Sequence, residues 1–300
     1  MTVTAAADVT LGKLQKRLAE VGQWLPVDCI DPRQTLGELV ERQPTGPLRL
    51  GFGAWRDLLL GCQFINGSGE LITAGGRVVK NVAGYDLTKF MVGSFGVFGK
   101  LLTITTRTYS RPEFALSAFF EPDVKRLNQM LPTPLRPQWA MLDRQQLICG
   151  YLGDERTISY IESRLAEWQP TRIDPRWHIP GDQTFTLIFN RGRDVPRFAA
   201  SVPPAKVMEF VDALDVQTWR ADPAFGAVVG YPVEESARGK ISEAARSAGG
   251  SVTFFNADGS VAQIGVAVGP AAVLKRLKAA FDPRGLMNPL PNIVEWPRSA

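Results

Sequence analysis

Residues 77–109 read RVVKNVAGYDLTKFMVGSFGVFGKLLTITTRTY, and four glycines in that run, Gly84, Gly93, Gly96 and Gly99, are spaced so that they could do chemistry. Glycine lets the backbone reach φ > 0 and approach a ligand closely, so a Gly-rich turn between ordered elements can present bare N–H groups to an anion. GSFGVFG is not the dinucleotide fingerprint G-x-G-x-x-G, because its spacing and its order of elements both differ. No G-x-x-x-x-G-K-[ST] occurs, which removes a P-loop. On composition alone a hairpin turn explains these glycines, with Lys80 and Asp86 as surface charges and Tyr85 as core.

Other reactive side chains are sparse. His178 is the single histidine, so a catalytic triad, a multi-His zinc site and an HExxH protease are excluded by count. Its setting, DPRWHIPGD, reads as an exposed loop with no carboxylate at a recognisable spacing, a weak setting for a proton acceptor. Cys29, Cys62 and Cys149 are odd in number and far apart, which reads as buried small hydrophobes rather than disulfides or an iron–sulfur site. Arg56-Asp57 reads as a structural ion pair at the start of a strand, and Trp55, Trp139, Trp168, Trp177 and Trp219 read as packing residues.

The elements that must position these residues follow from periodicity. Leu11, Leu14, Leu18 and Val21 recur at helical spacing after Thr10 and before Gly22, a cap and a stop. A second short helix is expected over Thr35–Arg42, two strands joined at Asn66–Gly69, one or two helical turns over Asp86–Val92, and a β-branched strand over Lys100–Tyr109. Beyond Arg111-Pro112, strand-like stretches (ALSAFF, PQWAMLD, QLICGYL, TFTLIFN, FGAVVGYP, SVTFFN) interleave with helix-like ones (VKRLNQML, TISYIESRLAEW, PAKVMEFVDAL, EESARGKISEAARSA). That pattern predicts an antiparallel sheet covered on one face by helices, an α+β layer. The tail PLPNIVEWPRSA reads as an irregular closing segment.

The chain has 300 residues, 45% hydrophobic and 21% charged, enough for a packed core and far from a disordered composition. Its net charge of +4 comes without a run of Lys/Arg, which argues against nucleic acid as a partner. Apolar stretches are too short for a bilayer span and the N-terminus lacks a basic-then-apolar signal, so the expected location is cytoplasmic.

Taken whole and in order, the 77–109 string resembles the FAD-binding (PCMH-type) domain of the vanillyl-alcohol-oxidase type found in the FAD-linked oxidase family. Within that family it is similar to the smaller flavin subunits of glycolate oxidase-like complexes, where KNVAGYDL, MVGS and a GxxG-to-strand exit follow one another. The likeness runs from Val3 to about Arg111 and resumes at FDPRGLMNP. TLGELV resembles the family's TIGG turn with Glu38 at a usual glycine, and GPLRLGFGAWRDLLLG its GPRRxxYGxxRDxVLG with Phe52 at a usual tyrosine.

The resemblance implies an α+β chain: a partial two-subdomain FAD-binding domain over residues 1–111, then a smaller FAD-linked oxidase C-terminal domain over 112–300. It implies FAD held non-covalently, since no His or Cys stands beside the Gly-rich loop. Lys80, Asn81 and Gly84 would lie beside the flavin, with Tyr85 and Asp86 fixing their loop. Gly37, Gly51, Gly53, Gly93, Ser94 and Gly96 would be the close-approach positions, and Asn288 would fold back near the ring. Implied partners are a larger flavin subunit and an iron–sulfur subunit, through which any membrane contact would run.

The family's Gly-rich pyrophosphate loop precedes the point where the likeness begins, so this chain is expected to lack that subdomain. Three readings stay open on these residues: an FAD-binding electron-transfer subunit, a non-catalytic scaffold that has lost flavin binding, and a self-sufficient 2-hydroxy-acid oxidase. A missing half would also leave an apolar face to be covered by a partner, with Val3, Leu11, Leu14, Leu18 and the Leu58–Leu60 run on or under it.

Overall fold

The computed structural model describes residues 1–29, 31–76, 86–178, 197–214, 216, 218–231, 235–257, 259–267 and 270–296. The N-terminal elements are β1 (Thr2–Ala6), α1 (Leu11–Ala19), β2 (Gln23–Trp24), α2 (Leu36–Arg42), α3 (Arg49–Phe52), α4 (Trp55–Leu58), β3 (Leu59–Ile65), β4 (Leu71–Gly75), α5 (Leu87–Met91), β5 (Lys100–Arg107) and β6 (Tyr109–Ser110). There follow β7 (Phe114–Phe120), α6 (Val124–Met130), β8 (Trp139–Leu142), β9 (Leu147–Gly153), α7 (Glu155–Leu165), β10 (Arg172–His178) and β11 (Phe198–Ser201). The chain closes with α8 (Val207–Asp212), β12 (Thr218–Asp222), β13 (Ala227–Tyr231), α9 (Arg238–Ser247), β14 (Ser251–Phe255), β15 (Val261–Ala267), α10 (Pro270–Phe281) and β16 (Asn292–Trp296). The fold is α+β.

The first sheet runs β1-β5-β3-β4, all antiparallel. Leu11, Leu14 and Leu18 of α1 and Leu36, Leu39 and Val40 of α2 are buried with Leu58, Leu59 and Phe64 in one cluster. The leucines expected under a partner's face therefore lie inside the chain's own core. Gln15, one turn into α1, is buried too, and its amide exchanges two hydrogen bonds with the Leu25 backbone (Nε2 to O 2.6 Å, N to Oε1 3.0 Å). That pair anchors the segment leading to residue 28.

Glu38 has a local explanation. The Thr35 hydroxyl accepts the Glu38 N–H at 3.2 Å, and the Glu38 carboxylate accepts the Thr35 N–H at 3.0 Å, a capping box that satisfies two orphan donors of α2. Asp57 likewise accepts the Ala54 N–H at 2.9 Å and starts α4, and no Arg56–Asp57 ion pair forms. The expected pairing fails because the unpaired N–H at the start of a helix is nearer and better aligned than the neighbouring guanidinium.

The second sheet has ten strands in the order β10-β7-β9-β8-β12-β13-β11-β14-β15-β16, antiparallel except for the β15–β16 pair. Leu116, Ala118 and Phe120 of β7 and Leu147, Cys149 and Tyr151 of β9 point to α6–α9 and form one core. The alternate residues Ala115, Phe119, Trp139, Met141, Ile148 and Leu152 pack against Trp24 and Leu48 of the N-terminal part. Both faces are thus covered, not one, and this is why FALSAFF and LICGYLG read as continuous apolar runs. Phe52 packs edge-on between Trp24 (5.2 Å) and Tyr109 (5.3 Å), a site that asks nothing of a hydroxyl.

Several elements escape the periodicity reading. DPRWHIPGD is not wholly a loop: β10 carries it as far as His178, which pairs with Phe114. NIVEW closes the chain as β16, parallel to β15, and β11, β12 and β15 are further strands of the same sheet. TFTLIFN lies outside the described residues. All three cysteines are free and buried. Among the described residues no helix is long and apolar enough to cross a membrane.

Thr35→Ala removes the capping acceptor of α2 and should lower stability by about 1 kcal/mol, measured by urea unfolding. Glu38→Gln, which keeps the reciprocal acceptor, should lose less than half of that. Equal losses would mean that the carboxylate charge, not the box, holds the helix.

Candidate functional site

The same alternation that packs one half of the ten-stranded sheet hollows out the other. On β11, β13 and β14 the inward residues Phe198, Val228, Val252 and Phe254 join the helix-side core. Their neighbours Ala199, Ser201, Ala227, Val229, Ser251 and Thr253 face the N-terminal part, and they are small. Register stacks them in rows: Ala199 stands between Val229 and Thr253, and Ser201 between Ala227 and Ser251. Where Trp139 and Phe119 fill the space next door, these residues leave a cavity of about 380 Å³. Tyr231 and Phe255 also line it.

The opposite wall is the N-terminal part: Asp28, Cys29, Arg42, Gln43, Thr45, Arg49 and Phe95. Arg49, at the start of α3, lies over the Phe225 ring at 4.2 Å from its centroid and enters no ion pair among the described residues. Stacking keeps its planar fork oriented without using its donors. Thr45 Oγ1 is buried without a hydrogen-bond partner among the described residues. Arg42 is tied across the cavity mouth to the Gly259 carbonyl at 3.3 Å.

Asp28 lines the cationic end, and the buried Asp222 interacts with Arg49 and Asp28 through their charges. Asp28 fits against Gly46, where any Cβ would overlap it, and accepts the Leu48 N–H at 3.4 Å. Burial pushes the Asp28 pKa up to about 8, opposed by that N–H and reinforced by the charge of Asp222. Asp222 is 1% exposed, accepts the Ala224 N–H at 3.1 Å and leaves Oδ2 without a partner among the described residues. Burial raises it to about 7, with the Ala224 N–H and the Arg49 charge pulling the other way. Burial and the neighbouring Asp28 and Asp31 charges push the Cys29 thiol to about 12, so it stays protonated beside the cavity.

The glycine-rich turn reaches this cavity through one residue. Gly93 (φ 75°), Phe95 (φ 53°) and Gly96 (φ 70°) form a left-handed turn, and Phe95 lines the wall. Three of its donors are engaged: Gly93 N–H bonds the Val40 carbonyl at 2.9 Å, Phe95 N–H the Glu41 carbonyl at 3.0 Å, and Val97 N–H the Ser94 carbonyl at 3.0 Å. The turn therefore satisfies orphan carbonyls at the C-terminal end of α2. Ser94 is buried, and its hydroxyl has no partner among the described residues. The Glu41 carboxyl lies against Gly96, and burial raises it to about 7, helped by the Glu38 charge.

Asn288 comes to this turn, donating from Nδ2 to the Phe95 carbonyl at 2.7 Å. Gly53 (φ 85°) borders a small void of about 20 Å³ that shares Asp28 and Arg49 with the cavity. Gly37 and Gly51 are elsewhere: a Cβ on Gly37 would sit 3.2 Å from the Ala7 carbonyl, and one on Gly51 2.7 Å from that of Gln138. Both permit backbone packing away from the cavity. Asp86 caps α5, accepting the Thr88 hydroxyl and the Lys89 N–H, and the Thr88 hydrogen bond above all holds its carboxyl below the usual range. Lys80, Asn81, Gly84 and Tyr85 lie outside the described residues. Asp28, Thr45, Arg49 and the Ser/Thr rows were not singled out by sequence; period-two small residues in FAAS, AVVGY and SVTFF were the available signal.

Comparison with known proteins bears on this arrangement. No protein-family model matches the chain. It is 28% identical over 311 residues to glycolate oxidase subunit GlcE of Escherichia coli (strain K12), spanning 96% of this chain and 81% of that protein. The chain is similar to this oxidase subunit along nearly its whole length. A second FAD-linked oxidase relative, glycolate oxidase subunit GlcD of Bacillus subtilis (strain 168), is 29% identical over 114 residues, 38% of this chain and 24% of GlcD. The fold of this chain is also that of alkyldihydroxyacetonephosphate synthase, with a TM-score of 0.64 and 14% identity. That match covers 97% of this chain and 64% of the synthase.

The raised carboxyls carry a pH signature. Asp28 and Asp222 hold a proton in the folded chain that they lose near pH 4 when unfolded. Their contribution to stability is therefore complete below about pH 4 and is lost as pH rises through about 7 and 8. Asp222→Asn, a permanently neutral replacement, should show a smaller fall in Tm between pH 5 and 8 than the wild type. Identical slopes in the two proteins would show that Asp222 is already ionised at pH 5.

Proposed function

We propose that this chain is the FAD-binding electron-transfer subunit of a glycolate oxidase-like complex, with the flavin ring in the 380 Å³ cavity. The observation that carries this reading is the cavity itself, walled by small residues on one side and by Phe95, Thr45 and Arg49 on the other. Its volume lies at the lower end of the range of small-molecule sites. The residues present fit the group: a flat face of Ala, Ser, Val and Thr suits an aromatic ring system, and the Thr45 hydroxyl lacks a partner among the described residues. Arg49 and the Ser201, Ser251 and Thr253 hydroxyls would bond polar ring edges. Bound flavin supplies hydride acceptance and one-electron transfer; the protein supplies position and electrostatics. A protonated Cys29 thiol argues for non-covalent attachment.

The likeness to two glycolate oxidase subunits, GlcE and GlcD, supports a multi-subunit complex, and on this reading its other members are a larger flavin subunit and an iron–sulfur subunit. Two units dividing near Arg111–Pro112, one on each sheet, go with it. Lys80, Asn81, Gly84 and Tyr85 remain part of the proposed cofactor site. The scaffold reading draws on a different observation: the Gly93 and Phe95 N–H groups are engaged with α2 carbonyls, and the Glu41 carboxyl lies beside Gly96. A phosphate placed there would meet a carboxyl rather than free donors.

Titration of the full chain with FAD, followed by quenching of flavin fluorescence, decides between them. Saturable one-to-one binding is expected, weakened about tenfold (about 1.4 kcal/mol) by Arg49→Ala. Acid precipitation should leave the flavin in the supernatant. If the chain gains no flavin absorbance either alone or co-expressed with a larger flavin subunit, the scaffold reading replaces this one.

A further inference from the structure

We propose that Lys278 is a positioning residue for the ligand cavity, acting from α10 through the turn that carries Phe95. Phe95 is a bulky residue in the left-handed region, and such a conformation persists only where its surroundings hold it. From one side α2 grips it through the Glu41 carbonyl. From the other side the grip comes from the C-terminal arm: Asn288 Nδ2 donates to the Phe95 carbonyl at 2.7 Å, and Asn288 N–H to the Gly96 carbonyl at 3.3 Å. Asn288 itself is exposed and would not hold this geometry alone.

Lys278 fixes both the arm and the turn. Its ammonium donates to the Asn288 carbonyl at 2.7 Å, the Val97 carbonyl at 3.0 Å and Asp282 Oδ2 at 2.6 Å, with the Met287 carbonyl at 3.4 Å. Three N–H donors thus join the arm, the helix and the far side of the Phe95 turn at one point. The Lys278 side chain is 16% exposed and that of Asp282 is 0%, so the pair is shielded from solvent. Asp282 in turn accepts the Leu286 and Met287 N–H groups at 2.8 and 3.0 Å, which closes the arm into a fixed loop. The arm has a separate attachment at the β3–β4 turn, where Arg284 Nε donates to the Gly67 carbonyl at 3.2 Å. That second contact does not touch the Phe95 turn.

This inference rests on the proposed flavin site, and its test separates the two. Lys278→Met and the control Arg284→Ala are compared in the full chain, with Tm measured for both and temperature offset so that each is equally far below its own midpoint. Hydrogen exchange of the peptide covering residues 92–99 should speed up at least tenfold in Lys278→Met and stay unchanged in Arg284→Ala, with residues 59–65 unaffected in both. FAD should bind Lys278→Met at least tenfold more weakly, with a shifted visible spectrum for any bound flavin, while Arg284→Ala binds as the wild type does. Unchanged exchange over 92–99 overturns the proposal, because the turn is then held without Lys278. Faster exchange with unaltered FAD affinity and spectrum also overturns it, leaving Lys278 a fastener of the arm. A wild-type chain that binds no FAD sinks the flavin reading first and this inference with it, whatever the exchange shows.

Discussion

Burial of both faces of the ten-stranded sheet is the constraint on which the site depends. An antiparallel sheet with one wet face can place any polar residue outward, but here the outward face is also an interior. β7, β8 and β9 therefore supply two apolar sets, one toward α6–α9 and one toward the N-terminal part. Along β7, β8 and β9 the second set is bulky and the two parts are in contact. Along β11, β13 and β14 it is small, and the same spacing between the layers leaves a cavity. The hollow is a consequence of side-chain volume at alternate positions and needs no special backbone.

Polar groups at the edge of that hollow pay for burial in different ways. Arg42 is tied to a carbonyl, Arg49 lies on an aromatic face, and Asp28 and Asp222 are driven toward their neutral forms. The result is a cavity end with a fixed cation and two carboxyls whose charge depends on pH and on what enters. A similar economy governs the Phe95 turn. Its Gly93 and Phe95 N–H groups close the C-terminal end of α2, so a loop rich in glycine is first a structural cap, and its contribution to the cavity is made by a side chain.

Much of this was legible in the sequence where the signal is local. The α1 leucines with their Thr10 cap, the short helix at 36–42, the β3–β4 hairpin at Asn66–Gly69 and the helix at 87–91 all appear at the expected positions. The resemblance to FAD-linked oxidases, carried by an ordered string of residues, agrees with the relatives and the fold. Strands β11 and β12 were missed because four or five residues carry too little periodicity, and β16 because a short stretch between prolines reads as a closing loop. The Arg56–Asp57 pair was misjudged because adjacency in sequence says nothing about which backbone donor competes for a carboxylate.

What the sequence by itself determined was the type and place of its strongly periodic elements, the exclusion by count of a multi-histidine centre, and the likeness to FAD-linked oxidases. These depend on neighbours within a helical turn or a strand, or on counts and ordered motifs. What only the tertiary structure decided was which residues meet. Asp28, Arg49 and Asp222 come from three separate stretches, and nothing in their spacing joins them. Lys278 and Val97 stand 181 positions apart and share a hydrogen bond. Whether a buried carboxyl holds its proton, and whether a small residue lines a void or fills a gap, depends on what the fold lays across it, since burial and charge act through space and not along the chain.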